Sequence, residues 1–266
     1  MFEMQAGCPL RTGGKKHKIM KVFNIFPKLL TLTFDFRLFV LLVIGFIAFT
    51  VIGTVSHESG HYIVARCLGY EARINYGSTS WYDKKNEIFF KSHWQLYQKQ
   101  IKAKQKFPDK ERWDSLLLKR QHASFWITLG GAMQTMLTGT IGLIFLLFLR
   151  RRYFSSKKLC FLLWLPIFIT LFWLRQAANF FVRVFKLMFH GSIRSNSDEF
   201  RLARYLNIPQ WTILIITASI ALIILAIVIF KFIPIKQRLT FMAAGLVGGV
   251  SGYLLWLILF GKFIMP

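Results

Sequence analysis

An all-α polytopic membrane protein, with about five transmembrane helices and a small β-hairpin after the first, is the fold class this sequence predicts. Three observations predict it. The 266 residues are 55% hydrophobic and 17% aromatic, with a mean hydropathy of +0.45, which is more apolar than an ordinary soluble domain. The apolar residues are gathered into runs such as Leu38 to Val55 (LFVLLVIGFIAFTVIGTV), long enough to cross a bilayer. Between two such runs, residues 70–90 alternate in the manner of strands instead of continuing the apolar pattern.

The elements are taken in chain order. Residues 1–37 form a basic segment with no apolar core and no A-x-A site, so no cleaved signal peptide is expected and the first span serves as its own insertion signal. Met20 is an alternative start. The first span covers about 38–67, roughly 45 Å of helix at 1.5 Å per residue, and ends at Arg66 and Gly69. A hairpin is expected over 70–90, with Ile74 and Tyr76 alternating with polar residues, Asp83 to Asn86 as the turn and Ile88 to Phe90 returning. The basic stretch 91–120, with Trp94, Leu96 and Ile101 among its lysines, reads as a surface helix on lipid headgroups or as a solvated loop. Spans are expected next at about 124–149 and 159–174, the latter with Pro166 as a kink and helix continuing toward Phe189. Residues 38–205 thus form a core, and 206–266 add two further spans, about 211–230 and 239–260. Trp211 and Trp256 suit interfacial positions. The small residues Ala243, Ala244, Gly245, Gly248, Gly249 and Gly252 permit close helix packing.

Charge and cysteines narrow the function classes. The net charge of +24 lies mostly between apolar spans and accompanies no base-stacking motif. Anionic lipid headgroups are therefore the expected partners, and nucleic acid is not. Cys8, Cys67 and Cys160 have no C-x-x-C spacing, which gives neither a disulfide framework nor a thiolate zinc site. The expected location is the cell membrane, with the positive-inside rule giving mild support to a cytosolic carboxyl end of the first span.

The chemistry is concentrated in His57-Glu58-Ser59-Gly60-His61, an H-E-x-x-H string in the last third of the first span. Residues four apart share one helix face, so His57 and His61 can present two imidazoles to one Zn²⁺, with Glu58 beside them to take a proton from water. Ionisable residues inside membranes are costly and are usually functional. A catalytic zinc takes three protein ligands. If the second and third spans each cross once, residues 175–210 return to the side of His61. They contain His190, Asp198 and Glu199. Ser197 would cap a helix with Asp198 or Glu199 in its first turn. Asp198 is favoured as third ligand, then Glu199, then His190.

On these residues the chain resembles the site-2 protease family of intramembrane zinc metalloproteases, over about 38–205. HESGHYIVARCLGYEARINYG is similar to that family's first core helix, its small-residue exit and the strand after it. LGGAMQTMLTG in the second span resembles the family's glycine-containing motif, with Gly131 in place of its Pro and Gln134 in place of its Asn. The family's N-x-x-P-x-x-x-x-D-G string is absent: no Pro comes after Asn179 at that spacing, and Glu199 stands where the Gly would come after Asp198.

The resemblance implies a zinc metalloendopeptidase acting on membrane-protein or peptide substrates. Metal would be held by His57, His61 and Asp198, with Glu58 as general base. An edge strand near Ile74 to Gly77 would hold the substrate extended. A non-catalytic scaffold or binding protein of the same fold is the alternative. An ion transporter ranks last, because neither of the two final spans carries a charge.

Overall fold

Asp35 starts the first helix by accepting the amide of Leu38 at 3.1 Å, and Gly69 stops it. In the computed structural model, which describes residues 31–153, 163–191 and 197–266, this helix is α1, Phe36–Cys67. Gly69 takes a φ of +82°. The amides of Gly69 and Tyr70 then reach back to the carbonyls of Arg66 and Ala65, both at 3.0 Å, a Schellman ending that a left-handed glycine makes possible. The 32 residues of α1 run about 48 Å, more than the roughly 30 Å hydrocarbon core.

A two-stranded antiparallel hairpin comes next, β1 Glu71–Asn75 and β2 Ser78–Tyr82, paired from Glu71 opposite Tyr82 to Asn75 opposite Ser78. Then come α2 Glu87–Lys102, α3 Lys110–Tyr153, α4 Trp164–Thr170, a 3-10 turn Leu171–Trp173, and α5 Leu174–His190. The short α6 Asp198–Tyr205 precedes α7 Thr212–Ile227, α8 Ile235–Tyr253 and α9 Gly261–Ile264. Among the described residues, five helical stretches are long and apolar enough to cross a membrane: Phe36–Cys67, Lys110–Leu149, Trp164–Phe189, Thr212–Phe232 and Ile235–Ile264. The protein is a multi-pass membrane protein built on them, as the apolar runs predict.

Helix α1 packs against both α3 and α8. Glycines set both approaches. A Cβ at Gly248 would stand 2.7 Å from the Phe46 Cβ and 2.8 Å from the Val43 carbonyl oxygen, and one at Gly252 would meet Thr50 at 2.8 Å. The small-residue stripe of the last span is thus the seat of α1. Where α1 crosses α3, Gly60 and Gly130 face each other, each leaving no room for a Cβ against the other's carbonyl oxygen. The apolar core lies at the opposite end of α1, where Leu42 and Phe46 meet Leu146, Ile167, Phe168 and Phe241. The metal-motif end is instead lined by polar groups.

Two expectations for residues 70–120 change. The hairpin closes at Tyr76-Gly77 rather than at Asp83 to Asn86. The second signal is a real turn, in which Asp83 accepts the Asn86 amide, but it leads into α2, so Ile88 to Phe90 are helical. The stretch 91–120 is not one surface element. Its first part is α2, none of whose residues is buried. Its last part, from Lys110, is already α3, with no break before the span. Trp113 is buried and packs on Phe90 (ring centroids 5.0 Å apart) and Phe107 (6.0 Å), which clamps α2 to the start of α3.

Trp256, which by sequence suits an interfacial position, supports the hairpin turn. It is buried in a π-helical stretch, Leu254–Phe260, and its Nε1–H donates to the Tyr76 carbonyl at 2.7 Å. With the Tyr76 amide bonded to the Met265 carbonyl at 3.0 Å, the end of the chain holds the hairpin turn. Most of the N-terminal segment, the 150–158 loop beyond Tyr153 and the start of the third span at 159–162 lie outside the described residues, as does the side chain of His190.

Candidate metal centre

His57 and His61 leave α1 on the face turned toward α3 and α6. They are buried, at 3% and 8% exposure, with Glu58 at 4%. Helix α6 brings the third group. Its Phe200 is fully buried and stacks edge-on with Trp211 at 5.6 Å. Tyr205 and Arg201 both bond to Ser124 Oγ on α3, at 2.6 and 3.2 Å. So anchored, the first residue of α6, Asp198, points at both imidazoles. Its Oδ2 lies 2.9 Å from His57 Nε2 and 3.3 Å from His61 Nε2, and the two Nε2 atoms are 3.2 Å apart.

The outer ring nitrogens fix what these three atoms can be. His61 Nδ1 lies 2.6 Å from the Ile127 carbonyl oxygen. That oxygen can only accept, so Nδ1 carries the proton. His57 Nδ1 lies 2.8 Å from Thr135 Oγ1, whose hydroxyl in turn donates to the Gly131 carbonyl at 3.1 Å. Thr135 therefore accepts from His57 Nδ1–H. In the neutral rings both Nε2 lone pairs then converge on a carboxylate oxygen, and three acceptors lie together with no proton among them.

Such a cluster is satisfied either by protonating one imidazole, whose Nε2–H then donates to Asp198, or by a cation. Four ligands about 2.0–2.1 Å from a tetrahedral zinc lie about 3.3 Å from one another, close to the spacing found. Outer-ring bonds to a hydroxyl and a carbonyl are also the arrangement that orients metal-binding histidines. The donor set of two imidazoles and a carboxylate fits a divalent metal.

The predicted residues thus fall into two groups. His57, His61 and Asp198 are brought together, and their ligand atoms all lie within 4.8 Å of one another. Glu199 is not with them. It is 2% exposed, and its Oε1 accepts from Asn179 Nδ2 at 3.0 Å.

Glu58 faces a cleft of about 280 Å³ that also exposes the metal cluster. The Thr79 hydroxyl of β2 lies 2.9 Å from both the Glu58 carbonyl oxygen and its Oε2. That bond leaves Oε1 as the oxygen free of Thr79. The sequence did not single out Thr79. From the hairpin, Gly77, Ser78, Thr79 and Trp81 line the cleft. Arg175, Asn179 and Arg201 also line the cleft and were not singled out as site residues, although an arginine inside an apolar span is visible in the sequence.

Compared with protein-family models, curated proteins and solved structures, the chain matches none of them.

Proposed function

We propose that this protein is an intramembrane zinc metalloprotease of the site-2 protease kind, acting on membrane-protein or peptide substrates in the cell membrane. The observation that carries this reading is the meeting of His57, His61 and Asp198 beside Glu58 in one cleft. The order of the metal-binding residues, two on one helix and a carboxylate from a later one, agrees with the motif on which the sequence resemblance rests.

His57 through Nε2, His61 through Nε2 and Asp198 through Oδ2 would hold the ion. When bound, a zinc ion supplies a Lewis acid and lowers the pKa of a water toward neutrality. The chain's own part is proton handling and positioning. Glu58 accepts the proton of the attacking water at Oε1 and later delivers it to the leaving amine. Thr79 holds Oε2 and so fixes the direction of Oε1. Thr135 and the Ile127 carbonyl keep both imidazoles in the tautomer that offers Nε2. The alternative, a non-catalytic scaffold, has no use for a carboxylate aimed into the cleft by a strand hydroxyl.

The deciding experiment is zinc per chain in detergent-purified protein, beside a folded His57→Ala/His61→Ala variant, and then cleavage of membrane peptides. Near one zinc in the wild type, none in the variant and zinc-dependent cleavage are expected. No zinc in either protein after metal is added removes the enzyme reading. Zinc without cleavage leaves the scaffold.

A further inference from the structure

Arg175 is an arginine in the interior of a membrane-spanning stretch, Trp164–Phe189. A charge there is expensive and requires compensation. Among the described residues none supplies it. Arg175 makes no ion pair, and its buried Nε has no hydrogen-bond partner. It lines the same cleft as Glu58 and the metal cluster.

Arg201 of α6 lines that cleft too, and its one bond, to Ser124 Oγ at 3.2 Å, goes to a neutral group. The carboxylates of the cleft are already engaged. Asp198 lies against the two histidines, and Glu58 accepts from Thr79. Glu199 is turned away toward Asn179. Arg183, two turns further along α5, also has buried Nε and Nη2 without a hydrogen-bond partner, but its guanidinium lies 4.8 Å over the Phe200 ring and it is absent from the cleft lining.

With the two carboxylates balanced by the two guanidiniums, a divalent ion gives the cleft an excess of positive charge. We propose that Arg175 and Arg201 form a carboxylate subsite, and that this protein takes peptides carrying a carboxylate close to the bond it cuts. The peptide part rests on the protease reading; the anion part does not. Two guanidiniums give planar, forked donors that match a carboxylate, and charge-assisted bonds in a partly buried cleft are the strong kind. A substrate carboxylate also removes the cost of an unpaired intramembrane arginine. Binding and desolvation of the charged side chain therefore favour the same ligand.

The test is a binding measurement with three fluorescent apolar nonapeptides in a neutral detergent. One carries a central Gln and a C-terminal amide, one a central Glu and an amide, and one a central Gln and a free C-terminal carboxylate. Dissociation constants are measured on the full chain with and without EDTA, and on Arg175→Gln, Arg175→Lys and Arg201→Gln. At least one carboxylate peptide is expected to bind about tenfold or more tightly than the neutral one, with and without EDTA. The two carboxylate peptides tell side chain from chain end.

The advantage is expected to shrink to near unity in Arg175→Gln and partly to survive in Arg175→Lys. Arg201→Gln is the second variant, in case either substitution prevents folding. Equal affinity for all three peptides overturns the subsite. So does an advantage abolished by EDTA, which would assign the carboxylate to the metal, and one unchanged in both glutamine variants. Arginine-dependent binding of phosphatidylglycerol with no peptide preference overturns it in favour of a lipid headgroup. Cleavage of the same peptides is scored separately. Arginine-dependent carboxylate binding with no cleavage of any peptide keeps the subsite and counts against the protease.

Discussion

Glu58→Gln is expected to lower peptide cleavage by about two to four orders of magnitude while zinc per chain stays at the wild-type level. Glutamine keeps the shape of the side chain and its bond from Thr79, since an amide oxygen accepts from a hydroxyl as a carboxylate does. What it loses is the ability to take a proton at the second oxygen. None of the three converging ligand atoms belongs to residue 58, so the metal has no direct reason to leave. The comparison with Thr79→Val separates the two contributions of this corner. The valine variant leaves the base in place but frees its direction, and a loss of about tenfold is expected. The glutamine variant leaves the direction and removes the base. Both measurements need the zinc content recorded in the same preparation. Undiminished cleavage by Glu58→Gln would take Glu58 out of the chemistry. A parallel loss of zinc would make it a structural support of the cluster instead.

The sequence carried the membrane architecture because the bilayer imposes length and apolarity on each span, and runs such as Leu38 to Val55 have no other use. It carried His57, Glu58 and His61 because the helical repeat alone puts both histidines on one face. It could narrow the third ligand only to a segment. Asp198 and Glu199 are adjacent first-turn acids, and what separates them is the roll of α6, fixed by Phe200 in the core and by Tyr205 on Ser124. Contacts at that distance in the chain leave no local pattern.

The position of the hairpin turn was hidden for a different reason. Asp83 to Asn86 is a good turn by its own chemistry, with Asp83 accepting from the Asn86 side chain at 2.8 Å. Turn chemistry does not decide whether the chain leaves the turn as a strand or as a helix. The turn that closes the hairpin, Tyr76-Gly77, is held from outside, by Trp256 and the Met265 carbonyl, some 180 residues away. Helix α3 begins before the apolar run that marks its span, at the charged residues Lys110 to Arg120. Those residues are helical outside the apolar run, where composition reports the surroundings of a helix and not its extent.

Gly131→Ala is expected to weaken zinc binding about tenfold to a hundredfold, the range seen when the outer support of a ligand is disturbed. The nearest neighbours of a Cβ at this position are atoms of one side chain: Nε2, Cε1 and Cδ2 of His61, all in prohibitive contact. The ring cannot retreat freely, because its Nδ1–H is bonded to the Ile127 carbonyl at 2.6 Å. It must either break that bond or carry Nε2 away from Asp198 and His57.

This also bears on the departure from the family motif, which places a Pro where Gly131 stands. In this chain the position lies against the imidazole and has no space for a ring. Two other glycines bracket the effect. A Cβ at Gly60 meets the Gly130 carbonyl oxygen at 2.5 Å, backbone against backbone, so Gly60→Ala should force α1 and α3 apart and cost the fold about 1–3 kcal/mol. A Cβ at Gly249 meets nothing within 4 Å, so Gly249→Ala should change neither property. Zinc affinity by chelator competition, read beside thermal unfolding, distinguishes the three. If Gly131→Ala binds zinc as tightly as Gly249→Ala, His61 can be displaced without cost, and its bond to Ile127 does not hold the ligand in place.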